Sequence, residues 1–155
     1  MPRPQKDRII NQPPAFSSFK PTGVMRKGLE KIALSLDEYE AIRLADYKQM
    51  DHVDASKEME ISRSTFTRLL ERARSKAAAL FVEGKELVIE GGNIHFRRNR
   101  VQCRFCGKIC NTEFHEKVSA CPECGSEALN DIANGFGHGR CCYTYQNRSK
   151  FNGSK

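Results

Sequence analysis

The chain has 155 residues and a formal net charge of +7, enough for one ordinary domain or two small ones. Its longest uninterrupted apolar run, Ala77–Val82, has six residues, far below the ~18 needed to cross a bilayer, and the amino terminus, MPRPQKDRII, lacks the apolar centre of a secretory signal. A cytoplasmic protein with no membrane partner is expected, and in that reducing compartment seven cysteines point to metal binding rather than disulfides.

Charge is segregated along the chain. It sums to +5 over residues 1–35, −5 over 36–60 and +3 over 61–84. Two basic blocks around an acidic one suit a molecule with one face for a polyanion. Chance clustering on a solvated surface would give the same tally.

Residues 1–33 hold five of the six prolines and no apolar periodicity, and read as an extended basic arm. Arg3, between two prolines, has the chemistry to enter a narrow minor groove; a disordered terminus is the plainer reading. Phe16 and Phe19 are expected to clamp the arm onto the helices.

Residues 34–84 read as helices. Ser35-Leu36-Asp37-Glu38 has the spacing of a capping box, in which serine and glutamate each satisfy a free backbone N–H. A helix is predicted from there to about Tyr47, burying Tyr39 and Ile42 with part of Ala41, Leu44 and Ala45. Asp51 can cap a second helix through Met59, and Ser62 a third to about Val82. On the third, at about 100° per residue, Phe66, Leu69, Leu70, Ala73, Ala77 and Leu80 share one face. Arg63, Ser64, Thr67, Arg68, Glu71, Arg74 and Ser75 share the other.

Any surface helix shows such a division. The discriminating feature is that Ala55 and Met59, Ile61 in the turn, and Phe66 and Leu69 follow the apolar skeleton of a helix-turn-helix, whose second helix projects into a major groove. The residues expected to meet DNA are Ser62, Arg63, Ser64, Thr67, Arg68, Glu71 and Arg72, with Arg3 from the arm. Arginine can hold guanine O6 and N7, and hydroxyls bond phosphates or base edges.

The stretch LSLDEYEAIRLADYKQMDHVDASKEMEISRSTFTRLLERARSKAAALFVEGKELVIEGG, with MPRPQK at the front and FKPTG between, resembles the prokaryotic family of predicted DNA-binding proteins called domain of unknown function 134. Its helical part resembles region four of sigma factors. The resemblance covers roughly residues 1–92 and implies a helix-turn-helix of the sigma-region-four type, without a target sequence. Two positions depart from the usual motif. Glu60 stands where a left-handed glycine is usual, at a cost of about 1 kcal/mol. Ser56 stands where a small alanine is favoured, and its hydroxyl needs a partner.

Residues 85–98, ELVIE-GG-NIHF, are predicted to form a β-hairpin about Gly91-Gly92. Residues 99–132 carry the strongest chemical signal. Cys103 and Cys106, then Cys121 and Cys124, form two C-x-x-C-G turns separated by fourteen residues. Such turns aim paired thiolates at one ion, and four thiolates complete a tetrahedral site with no place left for water. The arrangement looks like a zinc ribbon with structural zinc; iron is the alternative occupant. Arg97, Arg98, Arg100, Arg104 and Lys108 could extend phosphate contacts. Residues 133–155, with HGRCC, read as a flexible tail. In it His138, Cys141 and Cys142 are candidates for a second metal or a redox switch, and Cys110 has no paired partner.

The expected fold class is therefore mainly α: a helix-turn-helix domain of three or more helices, then a β-hairpin and a small zinc ribbon. The expected function is sequence-specific binding of double-stranded DNA in transcriptional regulation, by a monomer or a homodimer. The alternative is a protein-interaction module docking on RNA polymerase or another transcription component. No carboxylate triad or activated serine argues for an enzyme, and no aromatic platform argues for RNA.

Overall fold

The computed structural model describes residues 6–152; Arg3 lies outside them. Two compact units are present. One holds the described residues up to Ile10 together with Phe16–Ile94; the other holds Asn11–Ala15 and the residues from His95 onward.

In the first unit, β1 (Arg8–Ile10), β2 (Ser18–Phe19) and β3 (Lys31–Leu34) precede α1 (Leu36–Ile42), a π-helical turn (Arg43–Tyr47), α2 (His52–Glu58), α3 (Arg63–Glu83) and β4 (Glu86–Ile89). All three sequence-predicted caps are in place. The Glu38 N–H donates to Ser35 Oγ while the Ser35 N–H donates to Glu38 Oε2, 3.4 and 3.1 Å, closing the capping box. The Asp54 N–H donates to Asp51 Oδ1 at 2.8 Å and the Thr65 N–H to Ser62 Oγ at 3.2 Å. Gly84, at φ 63°, ends α3 in the left-handed region that glycine enters without penalty.

Ala41, Leu44, Ala55, Met59, Phe66, Leu69 and Leu70 form one buried cluster, with Ile61 packed against it from the turn. The turn between α2 and α3 is a Schellman motif: the Ile61 N–H donates to the Ser56 carbonyl and the Glu60 N–H to that of Lys57, at 3.0 and 3.1 Å. Glu60 has φ 55°, so the glycine position is left-handed although glycine is absent. Ser56 is buried and its hydroxyl donates to the Val53 carbonyl at 2.7 Å, so serine is accommodated. Glu60→Gly should raise stability by about 1 kcal/mol, read as a higher urea midpoint with an unchanged slope. Glu60→Ala should bring no such gain, because the left-handed cost remains.

Helix α1 buries more than apolar residues. Asp37, Glu38 and Glu40 are each no more than 5% exposed. Asp37 pairs with Arg8, Glu40 binds Arg43 through both oxygens at 2.7 and 2.8 Å, and Glu38 meets Lys76 of α3 at 2.7 Å. Burial of these carboxylates is sustained by charge-assisted hydrogen bonds.

The fold is mixed α/β rather than mainly α, with 37% helix and 20% strand across three small sheets. The basic arm supplies much of the difference. Its β2 and β3 flank β4, antiparallel and parallel respectively, with Ser18 opposite Val88 and Lys31 opposite Glu86. Since β4 takes both partners from the arm, the predicted hairpin of residues 85–98 does not form. Gly91 and Gly92 do have positive φ, 79° and 104°. They carry the chain over the start of α1, where the Leu36 N–H donates to the Gly91 carbonyl at 3.0 Å and a Cβ on Gly92 would lie 3.2 Å from Asp37 Oδ1. The arm is anchored by Ile9 and Ile10, both buried, whereas Phe16 and Phe19 are 58% and 46% exposed and do not clamp it.

The second unit contains β6 (Asn99–Cys103), β7 (Ile109–Thr112) and β8 (Leu129–Asp131), antiparallel in the order β7-β6-β8, after β5 (Ile94–Phe96), which begins in the first unit. Then come α4 (Ile132–Gly135) and α5 (Arg140–Asn152). The segment expected to be a flexible tail is therefore largely helical. Asp131 caps α4 through the Asn134 N–H at 3.0 Å, and buried Asn99 joins β6 to α4 by accepting from the Ala133 N–H at 3.1 Å. No described helix is long and apolar enough to cross a membrane.

Candidate nucleic-acid face and metal centres

The amino-terminal half of α3 presents the predicted polar set. Ser62, Arg63, Ser64, Arg68, Glu71 and Arg72 are exposed, opposite the buried Phe66, Leu69, Leu70 and Ala73. Neither Arg63 nor Arg68 is in an ion pair among the described residues. Two members of the set differ in setting. Thr67 is half-buried, its Oγ1 3.0 Å from His52 Nδ1, and so reaches back to α2. Arg72 Nε lies 3.8 Å from Glu38 Oε1, on the side of α3 that meets α1. The sequence reading missed His52; only the packing of α2 on α3 brings it beside Thr67. Arg74, also on the predicted polar face, is held by Asp46 at 2.6 and 3.1 Å; that bond holds the Asp46 carboxyl below its ordinary range.

The four paired cysteines converge. Cys103 closes β6, Cys106 and Gly107 form the turn into β7, and Cys121–Gly125 repeats the turn before β8. In each, the first cysteine's N–H donates to a carbonyl five residues on, and the glycine N–H donates back to that cysteine's carbonyl, all at 2.9–3.0 Å. Gly107 and Gly125 have φ 78° and 72°, which a Cβ would strain. The sulfurs of Cys103 and Cys124 are 3.6 Å apart, as are those of Cys106 and Cys121, and all four lie within 4.8 Å of one another. Bonds of about 2.3 Å to a tetrahedral ion set sulfurs about 3.8 Å apart, so the donor set fits such an ion. The Cys106 N–H is the main influence drawing the Cys103 thiol down to about 6, and the Cys124 N–H likewise lowers Cys121. Their neighbours move the other way: desolvation, with hydrogen bonding among the gathered sulfurs, raises Cys106 to about 12 and also raises Cys124, so two of the four thiols favour the thiolate, the ligating form, and two resist it. Cys110 stands on β7 outside the group.

A second group comprises His95, His138, Cys141 and Cys142, again within 4.8 Å. It gathers the three sequence candidates of the carboxy-terminal segment and adds His95, which the sequence reading missed. His95 sits between two buried residues, Ile94 and Phe96, on β5; only strand alternation hinted that it faces elsewhere. Burial pushes the Cys142 thiol up to about 12 and lowers the His138 imidazole.

A family model described as "Protein of unknown function DUF134" matches residues 1–97. The chain is similar to a UPF0251 protein of Chloroherpeton thalassium, 52% identical over 143 residues that cover 90% of this chain and 95% of the relative. It is also similar to a UPF0251 protein of Moorella thermoacetica, 42% identical over 141 residues, or 91% and 93% of the two chains. No solved structure matches. By the extent of these matches, the chain belongs to the DUF134 (UPF0251) family.

Proposed function

We propose that this chain is a sequence-specific DNA-binding protein acting in transcriptional regulation, with α3 entering a major groove and zinc bound structurally by Cys103, Cys106, Cys121 and Cys124. One observation carries the reading. The apolar faces of α2 and α3 share a single core across a Schellman turn, and that packing leaves Ser62, Arg63, Ser64 and Arg68 exposed at the capped start of α3. Arginines so placed suit guanine edges or phosphates. Arg72 and Thr67 take supporting parts: Arg72 neutralises Glu38, and Thr67 fixes α3 against α2. A closed four-sulfur shell would hold zinc or iron alike; zinc is proposed because a purely structural role calls for a redox-inert ion.

The test is selection of duplexes from a random pool by the zinc-loaded chain. An enriched motif is expected, with binding that falls steeply as salt rises. Arg68→Ala should weaken the selected site by about 1–3 kcal/mol and relax preference at one position. Failure to enrich any sequence would overturn the reading, and retention of RNA polymerase in its place would favour the docking alternative. Palindromy in the motif would report a homodimer.

A further inference from the structure

The second ligand group has the metrics of an ion site. Cys141 Sγ is 3.9 Å from Cys142 Sγ, and His138 Nδ1 is 3.4 and 3.7 Å from the two sulfurs. For a tetrahedral zinc with sulfur at about 2.3 Å and nitrogen at about 2.0–2.1 Å, the expected separations are about 3.8 Å between sulfurs and about 3.6 Å from sulfur to nitrogen. The two sulfur–nitrogen distances bracket the expected value, and the sulfur–sulfur distance lies just above its own.

Two metal-free explanations account for less. A disulfide between adjacent cysteines needs the sulfurs at about 2.05 Å, yet both residues lie in the first turn of α5, where neighbours project about 100° apart. A thiol–imidazole hydrogen bond needs one sulfur, whereas His138 Nδ1 sits nearly equidistant from two, and a ring nitrogen of a second imidazole, His95, lies within 4.8 Å of all three atoms.

The surroundings hold the ligands in place. The Phe96 N–H donates to Cys142 Sγ at 3.2 Å, His95 stacks on Tyr145 with ring centroids 4.5 Å apart, and the Phe96 ring meets His138 edge-on at 5.2 Å. Outer contacts of this kind orient ligands and support thiolate charge. Charge also balances: two thiolates and two neutral imidazoles around a divalent ion sum to zero, which lets the site sit half-buried without an unpaired charge.

We propose that His95, His138, Cys141 and Cys142 form a second, structural zinc site of two thiolates and two imidazoles, which fastens the first turn of α5 to His95. On binding, the two thiols release their protons to water and the sulfurs donate to zinc. The site is independent of the DNA-binding reading.

The test is anaerobic titration of the reduced, metal-stripped full-length chain with Co²⁺, followed by optical absorption. About two equivalents should bind, one at each ligand set. The second set should give ligand-field bands at shorter wavelength than the four-sulfur centre, with weaker thiolate-to-metal charge transfer. Cys141→Ser, His138→Gln and His95→Gln should each lower the stoichiometry to about one and remove only the shorter-wavelength envelope. The surviving four-sulfur bands show that the unit has folded. Binding of about one equivalent by the unmodified chain, or retention of both envelopes in His138→Gln and Cys141→Ser, would overturn the site.

Discussion

Cys121→Ser is expected to abolish metal retention at the four-cysteine centre and, with it, the β6–β8 sheet, while α1–α3 keep their helical signal. The reason is the scarcity of anything else to hold the ribbon. Its strands have three to five residues. Between residues 99 and 131 the buried apolar side chains among the described residues are Cys103 and Cys121 themselves. A three-stranded sheet with so little apolar face has, besides any metal, little more than the short α4 with buried Ile132 and Ala133 to steady it. In domains of this type the metal-binding free energy, about 10–16 kcal/mol for structural zinc at neutral pH, is the folding free energy. The helical core shares no residue with the ligand set. Metal content by atomic absorption, with amide resonances of residues 99–131 before and after chelation, would check this. A Cys121→Ser chain that kept both its metal and its strand resonances would refute it.

Phe66→Ala should cost about 3–5 kcal/mol of stability in the helical unit. Phe66 is fully buried at the crossing of α2 and α3, among Ala55, Met59, Leu69 and Leu70, and its ring meets His52 edge-on at 5.5 Å. Truncation leaves a cavity at the joint that sets the angle of α3. Arg63→Ala and Arg68→Ala, on the exposed side, should stay within about 0.5 kcal/mol. Paired chemical-denaturation curves would establish the contrast. If Phe66→Ala melted like the parent chain, the shared core of α2 and α3 would be wrong. The contrast also serves the binding experiment, because weakened DNA affinity in Arg68→Ala could then be assigned to a lost contact rather than to unfolding.

Features resting on neighbouring residues were legible in the sequence. Ser35, Asp51 and Ser62 cap helices because a cap is chemistry within three positions, and the paired C-x-x-C-G turns mark by spacing alone the four cysteines that converge. The left-handed turn at Glu60 was legible too, since the helix-turn-helix skeleton requires it. What was illegible depends on distant partners. β2 has two residues and β3 four, too short for alternation to register, and both pair with β4 from far along the chain. The run at β4 reads equally well as one arm of a hairpin, and the two glycines favoured that reading. The buried carboxylates of α1 were hidden for a similar reason, as Arg8 and Lys76 lie far from them in sequence. His95 is a lone histidine in a strand until the fold sets it beside His138.

The parallel pairing of β3 with β4 has a kinetic consequence. Lys31 stands opposite Glu86, so forming that pair closes a loop of about 55 residues, an entropy cost that must be met before the sheet returns any stability. Helices α1, α2 and α3 all lie inside that loop. Their mutual contacts are close in sequence, but completion of the unit waits on a distant closure, which places its refolding among mixed topologies rather than among microsecond helical bundles. A fragment spanning only residues 34–84 would discard β2 and β4 and most of β3, so the helical unit, if transplanted to another protein, should be cut outside β1 and after β4.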